Sequence, residues 1–281
     1  MTSKQLLLNE FLPALSDTEN ESEIKSIFRN VLAHVLNLDY SETLLLNHEL
    51  SEENVERCNA ILSRIKNGES LHHLLGKVEF LDLNFKVNKD VLIPRPETEW
   101  IVHETIKRFE SKNPRNIIDF CTGSGCIAIS LKNAFKNSNV VALEKSEKAI
   151  EIALENARYN DLEIKVNQID VLKSEYETDA RFDIIISNPP YIPYKETHEI
   201  ENKVLENEPK MALFVDDQEP LVFYERIIKW SENRLSSQGE IVFEINPNYA
   251  KELTTLAHQY SYKTELLKDL YNKDRMLILY R

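Results

Sequence analysis

The chain has 281 residues, 42% hydrophobic and 29% charged, with a formal net charge of -13, a balance that suits a soluble globular protein with one large domain and a smaller one. That excess of carboxylates argues against a protein that holds DNA or RNA mainly by its phosphates, and it favours a basic protein partner. No apolar run approaches the ~20 residues of a membrane span, the start MTSKQLLLNEFLPAL lacks a secretory pattern, and three cysteines without a C-x-x-C pair give neither a disulfide framework nor a zinc site. The expectation is a cytoplasmic protein without a metal.

Residues 1 to about 70 read as helices. Ile24, Ile27, Phe28, Val31, Leu32, Val35 and Leu36 recur at helical spacing, and so do Val55, Cys58, Ile61, Leu62 and Ile65. Ser51 is a candidate N-cap and Asn67-Gly68 a candidate stop. VEFLDLNFKVN, residues 78–88, reads as a hairpin. In VLIPRPETEW, residues 91–100, Pro94 and Pro96 bracket Arg95, and Glu97 and Glu99 suit the start of a helix. From about residue 115, NIIDF, VVALE, IKVNQID, FDIIIS, GEIVFEI and RMLILY read as strands, separated for the most part by helical stretches over 124–136, 146–159, 219–236 and 247–260. Alternation of this kind predicts a mainly parallel sheet covered by helices on both faces. The polar, weakly periodic stretch 192–217 is expected to be a lid or binding loop. The expected division is a helical domain over 1–75, a hairpin linker over 76–93 and an α/β domain over 94–281.

Four features fall at the C-terminal ends of predicted strands, where open α/β sheets bind ligands. Glycine is scarce, with 5 residues, yet Gly123 and Gly125 share one turn in DFCTGSGCIAIS. With Ala128 they fit the loose G-x-G-x-x-G/A pattern of a strand–turn–helix nucleotide site; a ligand-free tight turn is an equal reading of that pattern alone. Glu144 lies about 20 residues further on, where such sites place an acid for ribose hydroxyls. Asp170 could accept from an exocyclic amine or simply cap the next helix. IIISNPPYIP ends a buried strand at Asn188. Pro189 holds Asn188 extended, its carboxamide oxygen and a nearby carbonyl can each accept one hydrogen of a planar NH2 group, and Tyr191 adds an aromatic wall. No P-loop and no G-x-S-x-G elbow is present.

DFCTGSG resembles the first motif of class I S-adenosylmethionine-dependent methyltransferases. NPPY resembles the signature of those that methylate planar amino nitrogens, DNA adenine and some RNA methyltransferases among them. VLIPRPETE, with LHHLLGKVEF before it and KDRMLILYR at the end, is similar to the HemK/PrmC family, the protein-(glutamine-N5) methyltransferases of peptide chain release factors. The resemblance runs over most of the chain. It implies a Rossmann-like, seven-stranded, mainly parallel methyltransferase domain, with a small N-terminal helical bundle that docks the substrate and a short β-hairpin between them. It implies S-adenosylmethionine as cofactor, and methylation of the glutamine in the Gly-Gly-Gln loop of class I release factors; a monomer is the separate expectation. Asp119, Cys121, Thr122, Gly123, Ser124, Gly125, Glu144, Asp170, Val171 and Asn188 would surround the cofactor. Asn188, Pro189, Pro190 and Tyr191 would surround the target amide. The sequence departs from the family pattern in four places. Cys121 stands where many members have glycine, Glu144 where aspartate is frequent and Val171 where some have an aromatic, while DDQEPL, residues 216–221, replaces a glycine-rich stretch. A DNA or RNA amino-group methyltransferase is the alternative on the same motifs, and the net charge disfavours it. A nicotinamide-dependent oxidoreductase would leave NPPY unexplained.

Overall fold

The computed structural model describes residues 2–46, 49–200 and 202–281. The chain forms two compact units, Met1–Gly76 and Lys77–Arg281.

The first unit holds α1 (Ser3–Leu15), α2 (Glu21–Leu36), α3 (Glu42–Leu45), α4 (Glu52–Lys66) and α5 (Leu71–Leu75). Its helix starts are set locally. Thr2 and Asn20 each form a capping box, with Gln5 and Glu23 respectively, and the Ser51 hydroxyl accepts the Asn54 N–H. Helix α2 stops at Asn37, which turns into the left-handed region at φ 53°. Leu7, Phe11 and Leu15 of α1 meet Ile24, Phe28, Val31 and Leu32 of α2 and Cys58 and Leu62 of α4 in one core. Phe11 and Phe28 pack edge to face with centroids 5.1 Å apart.

The second unit opens with a hairpin, β1 (Lys77–Phe80) and β2 (Leu83–Lys86). Its two turn residues, Leu81 and Asp82, both have positive φ, 48° and 60°, the twist a two-residue hairpin turn requires. Phe80 and Phe85 are fully buried in this unit's core. The next elements are α6 (Pro96–Phe109), β3 (Asn116–Phe120), α7 (Cys126–Ala134), β4 (Asn139–Glu144), α8 (Glu147–Tyr159), β5 (Lys165–Gln168) and β6 (Phe182–Ser187). A polar segment then holds β7 (Ile192–Pro193), a 3-10 turn, α9 (Asn202–Asn207), α10 (Lys210–Leu213) and β8 (Phe214–Val215). The chain ends with α11 (Val222–Ser231), β9 (Leu235–Glu244), α12 (Ala250–Gln259), β10 (Lys263–Lys268) and β11 (Asp274–Tyr280).

The main sheet has seven strands in the order β10-β11-β9-β6-β3-β4-β5. Only β11 runs antiparallel to its neighbours. Its central strands read as unbroken apolar runs because both faces are covered. Ile118, Ile185 and Phe243 point to a core shared with Tyr224, Ile227 and Ile228 of α11 and Leu253 of α12. Their neighbours Ile117, Ile184, Ile186 and Val242 point to the opposite core, shared with Ile101 and Val102 of α6 and Ile127 and Leu131 of α7. Strand order reverses between β3 and β6, so connections leave these two neighbours in opposite directions and a crevice opens at their C-terminal ends. The Ser187 hydroxyl crosses that edge and donates to the Phe120 carbonyl at 2.7 Å.

Two expectations differ from what is observed. Lys263–Lys268, KTELLK, is the sheet's edge strand β10, half-exposed and so without an apolar run. The stretch 192–217 is not irregular; it carries short helices and the two-residue pair β7–β8, elements too brief to show a period. Glu201 in that stretch lies outside the described residues.

Gly125 caps the start of α7 at φ 82°, and a Cβ there would sit 3.0 Å from Ile129 Cδ1 and 3.2 Å from Ala153 Cβ. Gly125→Ala therefore combines left-handed strain with overpacking, and should lower the unfolding free energy by about 2 kcal/mol or more. A lower urea midpoint at constant m-value would show it; an unchanged midpoint would show that α7 and α8 separate without strain.

Candidate active site

The glycine turn is built from strained backbone. Cys121, Gly123 and Gly125 all have positive φ, 61°, 55° and 82°. Glycine adopts this freely, whereas cysteine does so at roughly 1–2 kcal/mol. The turn is fixed from several sides. Thr122 N–H donates to the Leu143 carbonyl at 3.1 Å. Glu144 Oε2 accepts Gly123 N–H at 2.9 Å, and its Oε1 accepts the N–H groups of Lys145 and Ser146 at 2.8 and 2.9 Å. The fully buried Asn156 bridges the turn to the hairpin, donating to the Ser124 and Lys86 carbonyls and accepting Lys86 N–H.

Asp119 lies behind the turn at 0% exposure. Its Oδ2 accepts the Thr122 hydroxyl, and its Oδ1 has no hydrogen-bond partner. Burial, opposed by the Thr122 hydroxyl and the Ala128 N–H and aided by the charge of Glu144, pushes its carboxyl up to about 7. The Cys121 thiol is pushed well above its ordinary range by burial and then by the charges of Glu144 and Asp119.

A cleft opens in front of the turn. Of the residues expected at the site, Cys121, Gly123, Glu144, Asp170, Val171, Asn188 and Pro190 line it. Thr122 and Ser124 are buried with Asp119, and Gly125 lies against α8. Asp170 bonds Lys145 at 3.0 Å and caps the following turn through Leu172 N–H at 3.2 Å. Burial raises its carboxyl, but Lys145 and the Leu172 N–H outweigh burial and hold it below its ordinary value.

The remaining walls come from residues that sequence reasoning did not single out. Val91, Leu92 and Asp90 follow the hairpin, Ile169 precedes Asp170, and Pro209, Met211 and Phe223 come from the polar segment and α11. The Pro-rich stretch after the hairpin explains how these parts meet. Arg95 Nη2 pairs with Glu208 Oε1 at 2.5 Å, and Ile93 N–H donates to Glu208 Oε2 at 3.3 Å. Glu208 is buried, which raises its carboxyl while Arg95 opposes the rise. A single carboxylate thus ties the stretch beside Val91 to the one that carries Pro209 and Met211 over the cleft.

Beside the cleft, Asn188 Nδ2 donates to Thr98 Oγ1 at 3.1 Å. The Thr98 hydroxyl donates to Glu244 Oε2 at 2.6 Å, and the Tyr191 hydroxyl donates to Glu244 Oε1 at 3.1 Å. Glu244, at the end of β9, is 2% exposed and Thr98 is 3% exposed. The described residues hold no cluster of metal-ligating side chains and no helix long and apolar enough to cross a membrane.

Two outcomes test this geometry. Asp119 has a raised folded pKa, so the native state retains a proton that the unfolded chain releases, and stability falls as pH rises from about 4 to about 7. Asp119→Asn removes that dependence. Its stability relative to the unmodified protein should rise through this window and level off above it; parallel stability–pH curves would show that Asp119 titrates normally. Glu208→Ala leaves Arg95 unpaired and should speed hydrogen exchange in residues 208–213 several-fold. Unchanged exchange would show that the segment is held by other contacts.

Two family models match the chain, "PrmC N-terminal domain" over residues 7–76 and "Methyltransferase small domain" over residues 104–213. A release factor glutamine methyltransferase from Flavobacterium psychrophilum is 39% identical, with 95% of each chain covered. Its counterpart from Bacteroides thetaiotaomicron is 34% identical, over 94% of this chain and 95% of that one. Among solved structures, the hMettl16 catalytic domain in complex with the MAT2A 3'UTR hairpin 6 superposes with a TM-score of 0.56 over 82% of each chain. At 16% identity it shares the fold alone. With both relatives above 30% identity over nearly their full length, the chain belongs to the release factor glutamine methyltransferase family.

Proposed function

We propose that this protein transfers a methyl group from S-adenosylmethionine to the side-chain N5 of the glutamine in the Gly-Gly-Gln loop of class I peptide chain release factors. The observation that carries the reading is the place of Asn188. It stands at the end of β6, on the wall of the cleft, across the strand-order reversal from the glycine turn.

The residues present fit the cofactor. At Gly123 nothing lies within 4 Å of where a Cβ would be, so the backbone can be approached closely. Glu144 has three of its roughly four acceptor positions filled by backbone N–H groups, leaving capacity for a ribose hydroxyl. Val91, Leu143, Ile169, Val171 and Phe223 give the cleft apolar walls for a flat base. Asp170 would share its acceptors between that base and Lys145. Bound there, S-adenosylmethionine would supply an electrophilic methyl carbon on a sulfonium, with a neutral thioether as the group that leaves when the amide nitrogen bonds that carbon.

An amide nitrogen is a weak nucleophile because its lone pair is delocalised. The protein's contribution is then orientation and electrostatics. Asn188 Oδ1 and a nearby carbonyl accept the two N–H groups of the target, turning the nitrogen's open face toward the donor. These bonds strengthen as the nitrogen gains positive charge. Pro189 and Pro190 fix the Asn188 backbone, and Tyr191 closes the slot. No dedicated base is needed, since the nitrogen becomes strongly acidic as the new bond forms and loses its proton to water. The acidic surface suits a partner that binds RNA and so carries basic surface. The helical unit of residues 1–76 is read as its docking module, and a cytoplasmic location goes with that partner.

Incubation with S-adenosylmethionine and an unmodified class I release factor, followed by peptide mass spectrometry, should show one methyl group on the Gly-Gly-Gln glutamine. A methyl group found instead on RNA or DNA would overturn the assignment. Asn188→Ala should reduce turnover by about 100-fold or more with cofactor affinity unchanged; near-normal turnover would remove Asn188 from this role. Glu144→Ala should weaken cofactor binding by calorimetry, because it removes the ribose acceptor and releases Gly123 N–H; intact affinity would remove Glu144 from this role.

A further inference from the structure

We infer that Thr98 and Glu244 are positioning residues that fix which end of the Asn188 carboxamide faces the cleft. This rests on the reading of Asn188 as the group that binds the target amide. It gives a role to the two motifs, PRPETE and KDRMLILYR, that the cleft wall itself does not use.

The two ends of a carboxamide are told apart only by what they bond. Here the partners decide. Both oxygens of Glu244 act as acceptors, one for the Tyr191 hydroxyl and one for the Thr98 hydroxyl. Thr98 has a single proton, and Glu244 takes it. Toward Asn188 the Thr98 oxygen can therefore only accept, which selects Nδ2 as the bonded end. Oδ1 is left to the cleft, where an acceptor is needed. In the flipped orientation Oδ1 would face the Thr98 oxygen without a proton between them. It would also aim an NH2 group at a nitrogen that becomes positive.

The chain also tunes as well as orients. A carboxylate that draws the Thr98 proton makes that oxygen a better acceptor, which in turn polarises Asn188 and enriches Oδ1 in negative charge. The acidic end of the chain is itself held. The main-chain carbonyl of Glu244 accepts the Tyr224 hydroxyl at 3.0 Å. Burial raises the Glu244 carboxyl, and the Thr98 hydroxyl, Arg275 from the C-terminal motif and the Tyr191 hydroxyl oppose the rise; Arg275 is fixed by Asp269 at 3.1 Å. Asp269 is set in turn by the N–H groups of Tyr271 and Lys273. Four separate stretches of sequence thus converge behind one side chain, and none of Thr98, Glu244 and Arg275 lines the cleft.

The test is steady-state methylation of a release factor by Thr98→Val, Thr98→Ser, Glu244→Gln and Asn188→Ala, with S-adenosylmethionine affinity and melting temperature measured alongside. Thr98→Val keeps the shape and removes both bonds. It should lower kcat by about 10- to 100-fold, with KM and cofactor affinity near those of the unmodified enzyme. Thr98→Ser should restore most of the loss. Glu244→Gln can donate to Thr98 and reverse the chain, and should lower kcat similarly. Normal kcat in Thr98→Val and Glu244→Gln with an inactive Asn188→Ala would overturn the positioning role alone. An active Asn188→Ala would overturn the reading of Asn188 beneath it. A loss in Thr98→Val that is matched in cofactor affinity and melting temperature, and not rescued by serine, would reduce Thr98 to a structural role and overturn the inference. The unmodified protein offers a readout that needs no variant. The Asn188 side-chain NH2 should show slowed hydrogen exchange by NMR, and exchange at the rate of a free amide would overturn it.

Discussion

The reversal of strand order between β3 and β6 is the constraint on which the site depends. Two parallel neighbours whose connections leave in opposite directions cannot both have their C-terminal ends covered, and the uncovered edge becomes a crevice. The glycine turn and Asn188 face each other there because they are the first residues after those two strands. The Ser187 hydroxyl on the Phe120 carbonyl holds the pair in register. Glu144 belongs to the next strand over and reaches back to Gly123. The sheet beneath is rigid because both faces are buried, so the distances across the crevice are set by the core.

That rigidity supports arrangements that would be unfavourable in isolation. Cys121 is held in the left-handed region, Asp119 is fully buried with one oxygen unpaired, and Glu244 and Glu208 place carboxyl groups in the interior, where burial raises both. Each is offset by local bonds: Glu208 by Arg95, Glu244 by Thr98 and Tyr191, Asp119 by Thr122, and the turn at Cys121 by Glu144 on Gly123 N–H. Such features concentrate where a site must be preorganised.

What could be read from the sequence was what is local. The strand ends, the turn of Gly123 and Gly125, Glu144 at its distance from them and the Asn188-Pro189 stop all carry their signal within a few residues, and so do the caps Ser51 and Asn67. The hairpin at 78–88 was legible for the same reason. The groups that act through long-range contacts were not. Arg95 stood out only because prolines flank it; nothing near it points to Glu208, 113 residues away. Thr98 read as part of a helix start, and Glu244 as the polar end of an apolar strand, since 146 residues separate the two ends of their hydrogen bond. Cys121 and Val171 differ from the common family pattern, yet both reach the cleft, since backbone rather than side-chain identity brings them there.

Cys121 has a consequence for the chemistry of the cleft itself. A thiolate is a far stronger nucleophile than an amide nitrogen, and beside a sulfonium methyl donor it would compete for the methyl group. Thiol reactivity toward alkylating agents and peroxides alike follows the thiolate fraction. Burial, and then the charges of Glu144 and Asp119, hold this thiol well above its ordinary range. The burial and the acids that shape the turn therefore lower the thiolate fraction of its cysteine, which disfavours alkylation at that sulfur.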